Sequence, residues 1–354
     1  MTPLTQLLIR RIKTTGPISI ADFMTDCLLH PQHGYYTTRD PFGAAGDFTT
    51  APGISQMFGE LIGLALAQAW LDQVRPSRFT LAELGPGRGT LMADALRATK
   101  AIPGFHAAAQ VHLVEASPTL RACQQQTLSG TDVTWVGSTD NLPDVPLFLV
   151  ANEFFDALPI RQFIRDAGGW RERQVGLTDG KLAFGASDPA PLAELAHRLA
   201  DTNPGDMVET CAPARPVMQD IADRIARHGG AALVIDYGDW HSKGDTFQAL
   251  QSHRPVDPLA NPGNADLTAH VDFEALANAA TGLTHSALTP QGVFLERLGI
   301  TARAQALAQN MTKPALDQHI AAHRRLTHPQ EMGSLFKVLG LTPVGSPPLS
   351  GLAP

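Results

Sequence analysis

Short apolar runs alternate along this chain with longer stretches in which apolar residues recur every three or four positions, the pattern of buried strands separated by amphipathic helices. Residues 4–14 carry helical spacing that Gly16 and Pro17 stop, and Ser19 is placed to cap a second helix over residues 20–29. A third helix is predicted over 55–71. Strands are then predicted over 79–84, 110–115, 133–136, 146–151 and 231–238, with helices over 91–99 and 216–228 and a helix opened by Ser117 and Pro118. Between residues 161 and 184, alternating segments punctuated by Gly168, Gly169, Asp179 and Gly180 predict β-hairpins, followed by a helical addition over 189–200. A proline- and asparagine-rich excursion over 246–273 precedes a helix (273–280), a strand (282–289), two helices (300–309 and 314–326) and a last strand (335–341).

Strands alternating with helices define an α/β chain with a Rossmann-like sheet. Four segments follow: an N-terminal helical lead-in with a loop (1–75), the first part of the sheet (76–159), an inserted substrate-side subdomain (160–215), and the rest of the sheet with its insertions (216–354).

The chemistry concentrates in F-T-L-A-E-L-G-P-G-R-G-T-L-M, residues 79–92. Gly85, Gly87 and Gly89, with Pro86 between them, make a turn whose backbone can approach a ligand closely. A strand, a glycine turn and a helix N-terminus form the nucleoside-binding corner of a doubly wound sheet. A dinucleotide fingerprint would need glycine at 90, where Thr90 stands. Glu83, two residues before the first glycine, repels a pyrophosphate and attracts a ligand bearing an ammonium and a sulfonium. That favours S-adenosyl-L-methionine over NAD.

Glu115 ends the second predicted strand, where a carboxylate grips ribose hydroxyls, and Ser138 follows the third, where an adenine sits. Tyr36, Asp47 and Thr49 belong to the long polar loop ahead of the sheet and are expected to pack over the cofactor. Asn152, Glu153 and Asp156, in N-E-F-F-D-A-L-P, lie just past the fourth strand, the end of an open α/β sheet where reactive groups gather. Asp236 and Tyr237, at the tip of the fifth strand, and His270, in the excursion, are expected on the substrate side.

Composition narrows the picture further. With 354 residues, 44% hydrophobic and 17% charged, the chain has ample material for a core. A net charge of -7 and the lack of a Lys/Arg run argue against nucleic acid as partner. Apolar runs are too short to span a bilayer. Cys27, Cys123 and Cys211 are scattered, and His30 and His33 have no partner at ligand spacing, so neither a disulfide framework nor a metal is expected. No signal peptide is read at the N-terminus, and a cytoplasmic location is expected.

With these residues in place, the chain resembles the MidA family, methyltransferase-like proteins that include a mitochondrial complex I assembly factor acting as a protein arginine methyltransferase. The likeness is carried by H-P-Q-H-G-Y-Y, G-D-F-T-T-A-P-G-I-S-Q-M-F-G-E, E-L-G-P-G-R-G, N-E-F-F-D-A-L-P, I-D-Y-G, H-R-P-V-D-P-L, D-L-T-A-H-V-D-F and E-M-G-S-L-F-K-V-L. A departure is Gly53, where the family pattern carries an acidic residue. The resemblance implies a class I methyltransferase sheet of seven strands, S-adenosyl-L-methionine as cofactor, and an arginine of a respiratory complex I subunit as substrate. A homodimer is among the expected partners. In this reading Glu153 and Asp156 clamp the guanidinium and take its proton, with Asn152 beside them. The rival is a non-catalytic assembly factor that binds the same cofactor.

Overall fold

The computed structural model describes residues 1–38 and 50–354. The chain forms two compact units. One holds the described part of Thr49–Phe155, with Arg215–Trp240 and Phe273–Pro354; the other holds Asp156–Ala214, His241–Asp272 and the described part of Met1–Phe48.

The first unit is organised by a mixed sheet whose path strands are numbered here in chain order: β1 (Phe79–Leu84), β2 (Ala109–Val114), β3 (Val133–Val136), β4 (Leu147–Asn152), β5 (Gly230–Asp239), β6 (Leu283–His285) and β7 (Phe336–Pro343). Their spatial order is β6-β7-β5-β4-β1-β2-β3, with two short strands off this path. β1 pairs parallel with β2 and β4, β4 with β5, and β2 with β3, while β7 runs antiparallel between β5 and β6. Central parallel strands are covered on both faces, which is why F-T-L-A-E-L is buried at every position. Register brings the carboxyl ends together: Leu84 lies opposite Val114 and Ala151, and Asn152 opposite Ile235.

The core beneath those ends is aromatic. Phe79 packs against Phe105 and edge-on against Phe148, with ring centroids 5.1 and 5.2 Å apart, and Trp70 packs edge-on against Phe105 at 5.4 Å. Each such side chain, fully buried, contributes roughly 1.5–3 kcal/mol. The helix α1 (Gln56–Asp72), capped by Ser55, crosses α2 (Thr90–Thr99) closely because Gly59 and Gly63 face it. A Cβ on Gly63 would fall 2.6 Å from the Ala95 Cα. The short helix Gln291–Arg297, within the apolar stretch after residue 289, was not anticipated from the pattern.

The second unit joins segments that the sequence sets apart. An antiparallel sheet of Arg161–Asp166, Gly169–Thr178, Lys181–Ala186, Met207–Thr210 and Ile18–Ser19 realises the predicted hairpins. The excursion folds as a three-stranded sheet of Gln248–Gln251, Arg254–Val256 and Asp266–Thr268. Helices Pro3–Thr15 and Ile20–Leu29 bury Leu4, Leu8, Phe23 and Met24 in one core with Ile160, Val175, Phe247 and Leu267. The N-terminal lead-in, the insertion and the excursion therefore share a hydrophobic core.

Candidate functional site

The glycine turn follows β1 with Gly85, Gly87 and Gly89 at φ of 57, 53 and 78°, values in the left-handed region that a side chain makes costly. At Gly85 there is also no space, since a Cβ would fall 2.9 Å from Phe154 Cδ2. Pro86 is buried within the turn, and Gly89 caps the start of α2.

Glu83 is buried at the end of β1, where the amide of Met92, in the first turn of α2, donates to it. Its Oε2 has no hydrogen-bond partner. Burial pushes its pKa well above the usual carboxylate range, a shift the Met92 amide only partly offsets. On the adjacent strand β4, Asn152 is also buried and its Oδ1 is likewise unmatched. Two buried acceptors left open at neighbouring strand ends suit a donor-rich cationic group, since a buried polar atom without a partner is costly. The ammonium of an S-adenosyl-L-methionine meets that requirement; a second phosphate-like anion would not.

Glu115 directly follows β2. Its Oε1 accepts the Ser117 amide at 2.7 Å and its Oε2 accepts Gln124 Nε2 at 3.2 Å; burial raises its pKa, with these donors opposing the shift. Ser138 is exposed after β3 and donates to Asp140 Oδ1 and, at 3.2 Å, to Asn141 Oδ1. Arg224, which the sequence did not single out, holds this turn by donating to the carbonyls of Asp140 at 2.8 Å and Leu142 at 3.1 Å.

Past β4 the chain turns at Glu153, whose φ of 52° is unusual for a non-glycine residue. Its Oε1 accepts the Ala51 amide at 3.0 Å and Asn152 Nδ2 at 3.1 Å, so a carboxylate is fixed at the strand end by two donors. Asp236 is read differently by the structure than by the sequence. It is fully buried, with Oδ2 accepting the amides of Phe154 and Phe155 and Oδ1 accepting that of Tyr237. Its carboxylate is turned into the backbone of the loop and braces the chain past β4. Tyr237 is half-buried, its ring edge-on to Phe336 at 5.4 Å.

Asp156, Tyr36 and His270 belong to the second unit. Asp156 is buried there, its carbonyl accepting the Ala269 amide at 3.0 Å. Tyr36 donates its hydroxyl to Asp266 Oδ1 at 2.8 Å, and burial first, then the charges of Asp266 and Asp156, push the phenol pKa well up. His270 is half-buried, with its amide donating to Thr246 Oγ1 at 2.8 Å. Asp47 and Thr49 lie outside the described residues. Among the described residues no group of three His, Cys, Asp or Glu side chains is arranged to hold a metal, and no helix is long and apolar enough to cross a membrane.

Gln124 is the residue the sequence reading missed most clearly. It is fully buried and spans the glycine turn, Glu115 and Trp135. A signal was present: Leu120, Gln124 and Leu128 fall at intervals of one helical turn, and Leu120 and Leu128 are buried with it.

The strand order, the left-handed glycine turn and the carboxylates at the ends of β1 and β2 define a class I methyltransferase sheet. The chain belongs to the family described as "Putative S-adenosyl-L-methionine-dependent methyltransferase", whose model matches residues 61–291. It is 37% identical over 373 residues to the mitochondrial protein arginine methyltransferase NDUFAF7 of Homo sapiens, with 97% of this chain and 84% of that protein covered. It is 38% identical over 355 residues to the Danio rerio protein of the same name, with 92% and 84% covered. Among solved structures, a Burkholderia thailandensis protein described as a "likely methyl transferase", bound to S-adenosyl-homocysteine, superposes with a TM-score of 0.85 at 31% identity, covering 98% of this chain and 94% of that one. The protein is an S-adenosyl-L-methionine-dependent methyltransferase, as its motifs led us to expect. The cytoplasmic expectation is corrected: the relatives from Homo sapiens, Bos taurus and Drosophila melanogaster are named mitochondrial.

Proposed function

We propose that this enzyme methylates a guanidinium nitrogen of a protein arginine, with a subunit of respiratory complex I as the substrate the family resemblance suggests. The observation that carries the reading is the carboxylate of Glu153, held at the end of β4 by the Ala51 amide and Asn152 Nδ2. An arginine side chain is charged at working pH, with that charge spread over a planar fork, so a methyltransferase must localise it and free a nitrogen lone pair. A fixed carboxylate does this by accepting an N–H of the fork as a charge-assisted hydrogen bond.

S-adenosyl-L-methionine supplies an electrophilic methyl group on its sulfonium. Glu83 and Asn152 Oδ1 offer open acceptors to its ammonium, and Glu115 offers a carboxylate to its ribose. Glu153 orients the guanidinium and accepts the proton that the methylated nitrogen gives up, directly or through water. Asp156 is proposed as a second carboxylate for the same fork by its place three residues on in the chain. Tyr36, Asp47 and Thr49 are proposed to cover the cofactor, and Tyr237 and His270 to face the substrate. Asp236 supports the loop from behind.

Mass spectrometry of arginine methylation on complex I subunits, with and without this protein, tests the assignment. A methylarginine that appears only with the active enzyme supports it. Cofactor binding without any methyl transfer would favour a non-catalytic assembly factor instead.

A further inference from the structure

Gln124 lies in the helix α3 (Pro118–Thr127), where its neighbours Gln125 and Gln126 are exposed and it is fully buried. Its terminal amide is engaged on both sides. Nε2 donates to the Gly87 carbonyl at 2.8 Å and to Glu115 Oε2 at 3.2 Å, while Oε1 accepts from Trp135 Nε1 at 2.8 Å. Its Cγ also lies 3.5 Å from where a Cβ on Gly89 would fall.

These contacts join the end of β2, the glycine turn after β1 and the β3 strand through one side chain. Glutamine is suited to the place because one planar amide offers two donors and an acceptor. Glutamate would set a second carboxylate against Glu115, and leucine or methionine would fill the volume while leaving the Gly87 carbonyl and the Trp135 indole without partners. Glu115 Oε1 is held by the Ser117 amide, so without Gln124 its second oxygen would lose a donor that fixes the plane of the carboxylate. An ionised carboxylate accepts about four hydrogen bonds, so the contacts on the page set its direction without exhausting its capacity.

We propose that Gln124 is a positioning residue for the nucleoside: it aims the Glu115 carboxylate and pins Gly87, so that the two meet a ribose in fixed relation. The proposal rests on the reading of Glu115 as the ribose carboxylate, and it adds a specificity determinant that touches no ligand itself. Selection for a ribose over a deoxyribose is then set from within α3.

The test is calorimetric binding of S-adenosylhomocysteine and of its 2′-deoxyribosyl analogue to the wild-type protein and to Gln124→Leu, Gln124→Met and Glu115→Gln. The wild type is expected to favour the ribosyl ligand by about tenfold or more, the scale of one buried hydrogen bond to a charged group. Both Gln124 variants are expected to bring that ratio within about twofold, as Glu115→Gln does. A merely structural role would weaken both ligands equally and leave the ratio intact. If Glu115→Gln loses the discrimination while the Gln124 variants keep it, the positioning role is overturned and the Glu115 reading stands. If the wild type itself does not discriminate, the Glu115 reading fails and the proposal with it. Should both Gln124 variants fail to fold, Trp135→Phe decides: it frees Gln124 Oε1 without touching the turn and is expected to lower the ratio about threefold, an unchanged ratio counting against the proposal.

Discussion

Asp236 Oδ2 accepts the amide of Phe155 at 3.0 Å, tying the tip of β5 to the loop that leaves β4. The same oxygen accepts the Phe154 amide at 3.2 Å, and Oδ1 accepts the Tyr237 amide at 3.0 Å. One buried carboxylate thus satisfies amides on both sides of the strand pair, including those directly after Glu153, where the chain adopts a positive φ. The loop is held in an uncommon conformation because its donors have an acceptor waiting.

Asp236→Ala should therefore destabilise the protein by roughly 3–5 kcal/mol, since it strands buried donors that had a charged acceptor. Asp236→Asn should cost less, about 1–3 kcal/mol, because its Oδ1 can still accept while its Nδ2 faces a donor. Urea unfolding with circular dichroism would measure both. Equal stability of Asp236→Ala and wild type would remove the brace.

Glu153→Gln should reduce turnover by about 10²-fold or more, the scale of a lost general base, while the affinity for S-adenosylhomocysteine stays within about threefold. The amide oxygen of the new residue can still accept from Ala51, so the loop keeps its anchor. Radiolabelled methyl transfer with parallel calorimetry separates the two effects. Turnover at the wild-type level would reject Glu153 as the guanidinium clamp.

The placement of the glycine turn, Glu83 and Glu115 at strand ends was legible in the sequence because a strand, a glycine turn and a helix are neighbours in the chain. Gln124 and Asp236 were harder. Gln124 sits among three consecutive glutamines, and only its contacts with Gly87 and Trp135 distinguish it from its exposed neighbours. Asp236 reads from the chain as a strand-tip acid free to meet a substrate, but the amides that occupy it come from Phe154 and Phe155, more than a domain insertion away. The shared core of Leu4, Phe23, Val175 and Phe247 was hidden for the same reason, because periodicity reports which face is buried and not what covers it.

Glu60 offers a test at acid pH. It is buried in α1, accepting Arg97 Nη2 at 2.9 Å and Arg303 Nε at 2.8 Å, with both arginines about half exposed. Burial alone would raise its pKa, but the hydrogen bonds and charges of Arg303 and Arg97 outweigh it and hold the carboxyl below the usual range. A depressed folded-state pKa adds stability that is present above the unfolded value and lost as pH falls through the folded one. Glu60→Gln should cost about 1 kcal/mol at pH 7, a figure kept small by the solvent around the arginines. That difference should shrink as pH falls below the usual carboxylate range and through the folded-state pKa, and a difference that does not change with pH would assign it to packing.

Glu83 should show the opposite sign. Burial raises its folded-state pKa well above the usual carboxylate range, so the cofactor-free fold holds a proton that the unfolded chain releases. The associated stability is full below the unfolded value, about 4.5, and declines as pH rises from there toward the folded value. Glu83→Gln, which cannot ionise, should flatten this decline and leave the cofactor-free protein at pH 8 at least as stable as wild type. A cationic ligand beside Glu83 favours the ionised form, so binding of S-adenosyl-L-methionine should expel that proton. Calorimetric titration in two buffers of different ionisation enthalpy counts it: binding heats that differ between buffers for wild type and agree for Glu83→Gln are the expected result. Buffer-independent heats for the wild type would show that Glu83 does not change its protonation on binding, and the electrostatic basis for cofactor choice at this corner would be lost.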